Sequence, residues 1–128
     1  MTDNDIEREI IEKGKTAPRV TPDGIEAVIT GEFYFTAAEG VAGAIELTGT
    51  TLGWPCDDIW ELIPKPLGLL TFCVLVLRNG FTVTGESACA SPENFDAEIG
   101  RKIARQNAVA KIWPLEGYLL KQRLHDAA

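Results

Sequence analysis

Leu69-Leu-Thr-Phe-Cys-Val-Leu-Val-Leu-Arg78, then Asn79-Gly80, then Phe81-Thr-Val-Thr-Gly-Glu-Ser-Ala-Cys89 is the stretch that decides the fold. The first run is rich in branched and aromatic residues, as a buried strand requires. Asn-Gly is the favoured pair for a two-residue type I′ turn, whose two central positions both need a positive φ. The second run alternates apolar and polar, so the whole reads as a β-hairpin. A two-residue turn predicts Arg78 opposite Phe81, Val76 opposite Val83, Val74 opposite Gly85 and Phe72 opposite Ser87. In that register Phe72, Val74, Val76, Phe81 and Val83 form an apolar face needing cover. Leu75 and Leu77 then share a half-apolar face with Thr82 and Thr84.

C-terminal to the hairpin, Ser91-Pro92 reads as a turn or a helical start, and Asp96 as a second candidate cap. The spacing predicts a helix from Asp96 to Trp113, with Ile99, Ile103, Gln106, Ala110 and Trp113 on one stripe. Ala104 and Ala108 flank it and permit close approach to the sheet. Pro114 is expected to break that helix and open another, carrying Leu115, Tyr118, Leu119 and Gln122 to about Leu124. N-terminal to the hairpin, residues 4–13 read as a short helix with Ile6, Ile10 and Ile11 on one side, a cap at Asp3 or Asp5, and a stop at Gly14. Thr21-Pro22 signals another start, a capping hydroxyl before a proline at the first helical position. Ile25, Val28 and Ile29 follow at helical spacing, ending by Gly31. Residues 32–66 sustain no period; short pieces over the core, or an arm to a neighbouring subunit, are expected there.

The predicted architecture is α+β, an antiparallel hairpin or small sheet packed on a long C-terminal helix and a following helix, with short N-terminal helices. All 128 residues fit one domain, 1–66 an acidic helical and loop part and 67–128 a hairpin-plus-helices module. The formal net charge is −7, with thirteen acids against five bases in residues 1–66 and six against seven in 67–128. Such acidity argues against general nucleic-acid binding. No apolar run approaches the ~20 residues of a membrane span, and the start is no signal peptide. A soluble protein of the cytoplasm is expected. The three cysteines, Cys56, Cys73 and Cys89, are odd in number and lack Cys-x-x-Cys spacing, which favours free thiols over a disulfide frame or a zinc site.

Catalytic signatures are scarce. The one histidine, His125, stands beside Asp126 near the end of the sequence, which leaves no partner set for a hydrolase triad or a zinc deaminase. The glycines of Gly80-Phe-Thr-Val-Thr-Gly85 belong to the hairpin and not to a phosphate loop. Asp57, Asp58 and Glu61 fit a solvated acidic turn better than a magnesium site. Glu86 and Glu93 are surface carboxylates with no partner set for acid–base work. No enzyme and no cofactor is expected. One cationic group remains: Arg101, Lys102 and Arg105 lie within about a turn of the main helix near its start, where the dipole favours anions. Ser91, Asn94 and Phe81 could complete such a site. The alternative is that these cations pair with Glu98 and with acids of the N-terminal half.

The run from Thr71 through Asn79-Gly80, Gly85-Glu-Ser-Ala-Cys-Ala-Ser-Pro-Glu-Asn-Phe-Asp96 and Gly100-Arg-Lys-Ile-Ala104 to Lys111-Ile-Trp-Pro-Leu-Glu-Gly-Tyr-Leu-Leu120 resembles a family of small tailed-phage and prophage proteins. Ala17-Pro-Arg-Val-Thr-Pro22 and Tyr34-Phe-Thr-Ala37 resemble it too, whereas residues 45–66 have no counterpart. The hairpin and basic helix are more distantly similar to the phage anti-Thoeris nucleotide-sponge proteins. That resemblance implies a homo-oligomer that sequesters cyclic ADP-ribose isomers or cyclic nucleotides. It further implies that Phe81 stacks on a base while Asn94, Arg101 and Arg105 hold phosphate or ribose. Two functions follow as expectations, capture of a small anionic nucleotide signal or protein–protein adaptation that inhibits a host protein. Trp54 and Trp60 motivate the second, since tryptophans often anchor interfaces.

Overall fold

The computed structural model describes residues 2–48 and 58–128. Trp54, Cys56 and Asp57, singled out above, lie outside them. The described chain is α+β: a three-stranded antiparallel sheet with one long helix across one face and shorter helices around it.

Helix α1, Asp3–Glu12, is capped by Thr2, whose side chain accepts from Asp5 N while the Asp5 carboxylate accepts from Thr2 N. This is a capping box, so Thr2 and not an aspartate is the cap itself. A bidentate Arg19–Glu7 pair ties α1 to the segment that follows. Helix α2, Pro22–Ala27, starts as read, with Thr21 accepting from Gly24 N. It ends earlier than expected, because Ile29 already belongs to a strand.

That strand, β1 (Ile29–Thr36), and the helix after it, α3 (Ala37–Thr48), are what the sequence reading left unassigned. Two short 3-10 turns, Ile59–Leu62 and Lys65–Leu69, then lead into β2 (Leu70–Leu77). The hairpin partner is β3, Thr82–Ala88, and β2 lies in the middle of the sheet.

The hairpin forms, but one residue out of the expected register. Leu75 opposes Val83, Val74 opposes Thr84, Cys73 opposes Gly85 and Phe72 opposes Glu86. The reason is the turn. Leu77 N donates to Phe81 O, and Gly80 N donates to Leu77 O, so the loop holds three residues, Arg78, Asn79 and Gly80. Gly80 takes φ 89°, and Asn79 Oδ1 accepts from Phe81 N. This is the three-residue loop closed by a left-handed glycine. With a side-chain period of two, one extra loop residue exchanges the faces. Thr71, Cys73, Leu75, Leu77 and Val83 are therefore buried beneath the helices, while Phe72, Val74 and Val76 look the other way.

Helix α4, Ala97–Ala127, covers the buried face. Asp96 is its cap, accepting from Ile99 N. Its inward stripe is Gly100, Ala104, Ala108 and Ile112, not the branched residues expected there; Ile99 and Ile103 are exposed. Small residues win because they let backbone meet backbone. A Cβ on Gly85 would lie 2.1 Å from Ala104 O and 2.3 Å from Ala108 N, so only glycine fits opposite this stripe. Pro114 does not end α4. It deprives Ala110 O of its helical donor, and the helix runs on to Ala127.

The main core joins Ile25 and Val28 of α2, Cys73, Leu75 and Leu77 of β2, Val83 of β3, and Ala104, Ala108 and Ile112 of α4. A smaller cluster sits under α3, where Ala38 and Ala42 meet Ile63. Cys73 and Cys89 are free thiols; Cys73 is buried opposite Gly85, and Cys89 Sγ donates to Ser91 O at 3.1 Å. Among the described residues no helix is long and apolar enough to cross a membrane.

Candidate binding surfaces

The four residues expected to form one anion site do not come together. Phe81 lies at the hairpin turn, beside Leu77, Leu115 and Leu119. Arg101 lies at the opposite end of the sheet, sharing a small cavity with Thr71, Tyr34, Phe35 and Phe95. Thr71 and Leu77 are six strand residues apart, which separates the two places by roughly 20 Å. Asn94 closes the 3-10 turn Pro92–Asn94 just before α4, with its backbone N–H on Ser91 O and its side chain in solvent.

Arg105 is engaged inside the molecule. Its Nη1 and Nη2 donate to both oxygens of Glu26 at 3.0 and 2.7 Å, and its Nε donates to Glu32 at 2.9 Å. These bonds clamp α2 and the edge strand β1 to α4. The Glu26 hydrogen bonds hold the Arg105 guanidinium charged far above any accessible pH, and Arg105 in turn holds Glu26 below the usual carboxylate range. Glu32 is pushed up by burial, but hydrogen bonds from Tyr34 and Arg105 outweigh that and leave it lowered. Burial first, then its 2.8 Å hydrogen bond to Glu32, pushes the Tyr34 phenol up, while burial raises the Cys73 thiol. Lys102 pairs with Glu98 at 3.3 Å on the exposed surface. Of the three cations, only Arg101 has no carboxylate partner among the described residues.

An apolar surface lies elsewhere. The sheet face away from α4 carries Phe33 and Phe35 of β1, then Phe72, Val74 and Val76 of β2, then Thr82, Thr84 and Glu86 of β3. Phe33 is 59% exposed, and Phe35 stacks on Phe72 with centroids 5.5 Å apart. Helix α3 touches only the Phe35 end, where a Cβ on Gly40 would lie 3.3 Å from that ring. The alternation of β1 could have announced this face, but three successive aromatic residues, Phe33-Tyr-Phe35, show no clear period beside the glycines.

A second apolar feature is a groove of about 410 Å³ between the hairpin turn and the far half of α4, lined by Val28, Leu77, Phe81, Leu115, Tyr118 and Leu119. Neither surface brings together groups for chemistry. Among the described residues no three His, Cys, Asp or Glu side chains cluster as a metal would need. Asp58 instead caps the Ile59–Leu62 turn, accepting from Trp60 N, and the Trp60 ring is half exposed.

The model of the phage protein (N4 Gp49/phage Sf6 gene 66) family matches residues 20–124. The chain belongs to that family. The match takes in the sheet, α3 and α4 as far as Leu124, so the open sheet face and the groove both lie within the family's part of the chain. Neither a curated protein nor a solved structure matches.

Proposed function

We propose that this phage protein is a non-enzymatic binding protein that works by docking a protein partner on its open sheet face. The observation that carries the reading is the row Phe33, Phe35, Phe72, Val74 and Val76, its two phenylalanines of β1 exposed and the other three half-buried among the described residues. Single exposed apolar residues are normal, but a contiguous aromatic and branched patch on an otherwise acidic molecule marks an interaction surface. Among the described strand residues of this face the one charge is Glu86, at its edge. A partner with an apolar surface of its own, such as a host protein that the phage restrains, fits it.

The test is capture from bacterial host lysate with the full chain and with Phe33→Ser. A specific band retained by the parent and lost in the variant supports the reading. The same bands from both, or none from either, overturns it.

Capture of an anionic nucleotide, which the sponge resemblance implies, finds support in one place, a cavity of about 180 Å³ where Arg101 joins Phe35, Phe95 and Tyr34, with the Glu39 carboxylate also in its wall. With Arg105 engaged by Glu26 and Glu32, that reading has a single cationic contact, so it ranks second. Calorimetry with cyclic nucleotides and cyclic ADP-ribose separates the two: heat that Arg101→Ala abolishes would reverse the ranking.

A further inference from the structure

Beyond Ile112 no residue of α4 is buried, yet the helix continues for four turns with large apolar groups on its surface. Tyr118 is 74% exposed, and Leu115 and Leu119 are exposed beside it. A helix of about 15 residues is marginal in water unless one side packs on something. Leu115, Tyr118 and Leu119 line the groove, and Lys111, Gln122 and Asp126, the last accepting from Gln122 Nε2 at 2.9 Å, fall on the same stripe at helical spacing.

The steps along that stripe are four, three, one, three and four residues, the same in both directions. A second helix of the same sequence, laid antiparallel, therefore brings Lys111 to Asp126, Leu115 to Gln122 and Tyr118 to Leu119, and by symmetry each pair occurs twice. Opposite charges meet at both ends and the aromatic and leucine side chains meet in the middle. A two-fold interface must be self-complementary in this way.

We propose that this stripe is where a second copy of the chain docks, its α4 antiparallel to the first, with its Tyr118 and Leu119 entering the groove beside Phe81. The groove takes Leu115, Tyr118 and Leu119 of that stripe into its wall, with Arg78 and Glu116 at its rim. Charge favours the same place. Residues 111–128 hold three cations and two carboxylates, while the whole chain carries −7, so two copies meet here without the repulsion they face elsewhere. The contact spans about four turns, roughly 22 Å, so it belongs to the small interfaces, and association on the order of micromolar is expected. It is independent of the open sheet face.

Sedimentation of the full chain over a concentration series tests it. The parent dimerises. Lys111→Asp and Asp126→Lys each set like charges against each other at both ends, and each weakens the dimer about tenfold. The double variant K111D/D126K recovers it, as does an equimolar mixture of the two single variants. Circular dichroism keeps the comparison to variants with the parent's helix content. Three outcomes overturn the proposal: a monomer up to about 1 mM, a dimer indifferent to both charge reversals, or one abolished by Phe33→Ser and by neither charge reversal.

Discussion

The two faces of the one sheet are built from similar residues and have opposite fates. On the face toward α4, Cys73, Leu75 and Leu77 meet a helix whose contact stripe is glycine and alanine, and they are sealed. On the other, Phe72, Val74 and Val76 stand beside Phe33 and Phe35 with no helix over most of their length. The difference teaches that burial here follows how closely a helix can approach and not how apolar the strand is. The small-residue stripe draws α4 down on one side, and the bulkier side lies away from it.

The sharpest way to break that comparison is Gly85→Ala. Its new methyl would sit inside the van der Waals radius of the α4 backbone, which cannot swing aside as a side chain does. A loss of about 3 kcal/mol or more is expected, read as a fall in melting temperature of at least about 10 °C. Melting unchanged from the parent would mean that the close approach is not what seats the helix.

Smaller in effect is the Arg105 clamp. Arg105→Met should lower stability by about 1 kcal/mol near neutral pH, since these groups are half exposed and screened. The pH dependence has a definite sign. Glu26 and Glu32 titrate lower in the folded chain than the ordinary carboxylate value, so their contribution is full above that value and is lost as pH falls through the lowered ones. Urea unfolding of parent and variant should therefore differ at neutral pH and converge once the pH has fallen below the lowered Glu26 and Glu32 values. A gap that persists in acid would assign the effect to packing of the arginine stem. Smallest of all is Phe33→Ser, expected to change monomer stability by less than about 0.5 kcal/mol while removing lysate capture. Clear destabilisation would make Phe33 a structural residue and weaken the docking reading.

Much of this architecture was legible in the amino-acid order. The hairpin, the cap at Asp96, the start at Thr21-Pro22 and the long helix all carry strong local signals. What local signals could not supply was tertiary. Asn79-Gly80 serves a two-residue and a three-residue loop equally well, and the choice depends on which strand face the helix must meet. The Gly100, Ala104, Ala108 stripe is invisible to a reading that ranks positions by apolar size. Strand β1 hides because Phe33-Tyr-Phe35 puts aromatic side chains on both faces, which masks the alternation of a strand. Pro114 misled because loss of one backbone donor does not by itself stop a helix. The cationic group near the start of α4 was visible, and so was its alternative; Lys102 and Arg105 follow the pairing alternative.

The loop at Arg78, Asn79 and Gly80 has a consequence out of proportion to its place on the surface. Turn tips ordinarily tolerate insertion and deletion, but here loop length acts as a parity switch. Removing one residue would offer β3 to the helix wrong side up, presenting Thr82 and Thr84 in place of Val83 and the gap at Gly85. A three-residue connection, rather than any particular side chain in it, keeps the inside of this molecule inside.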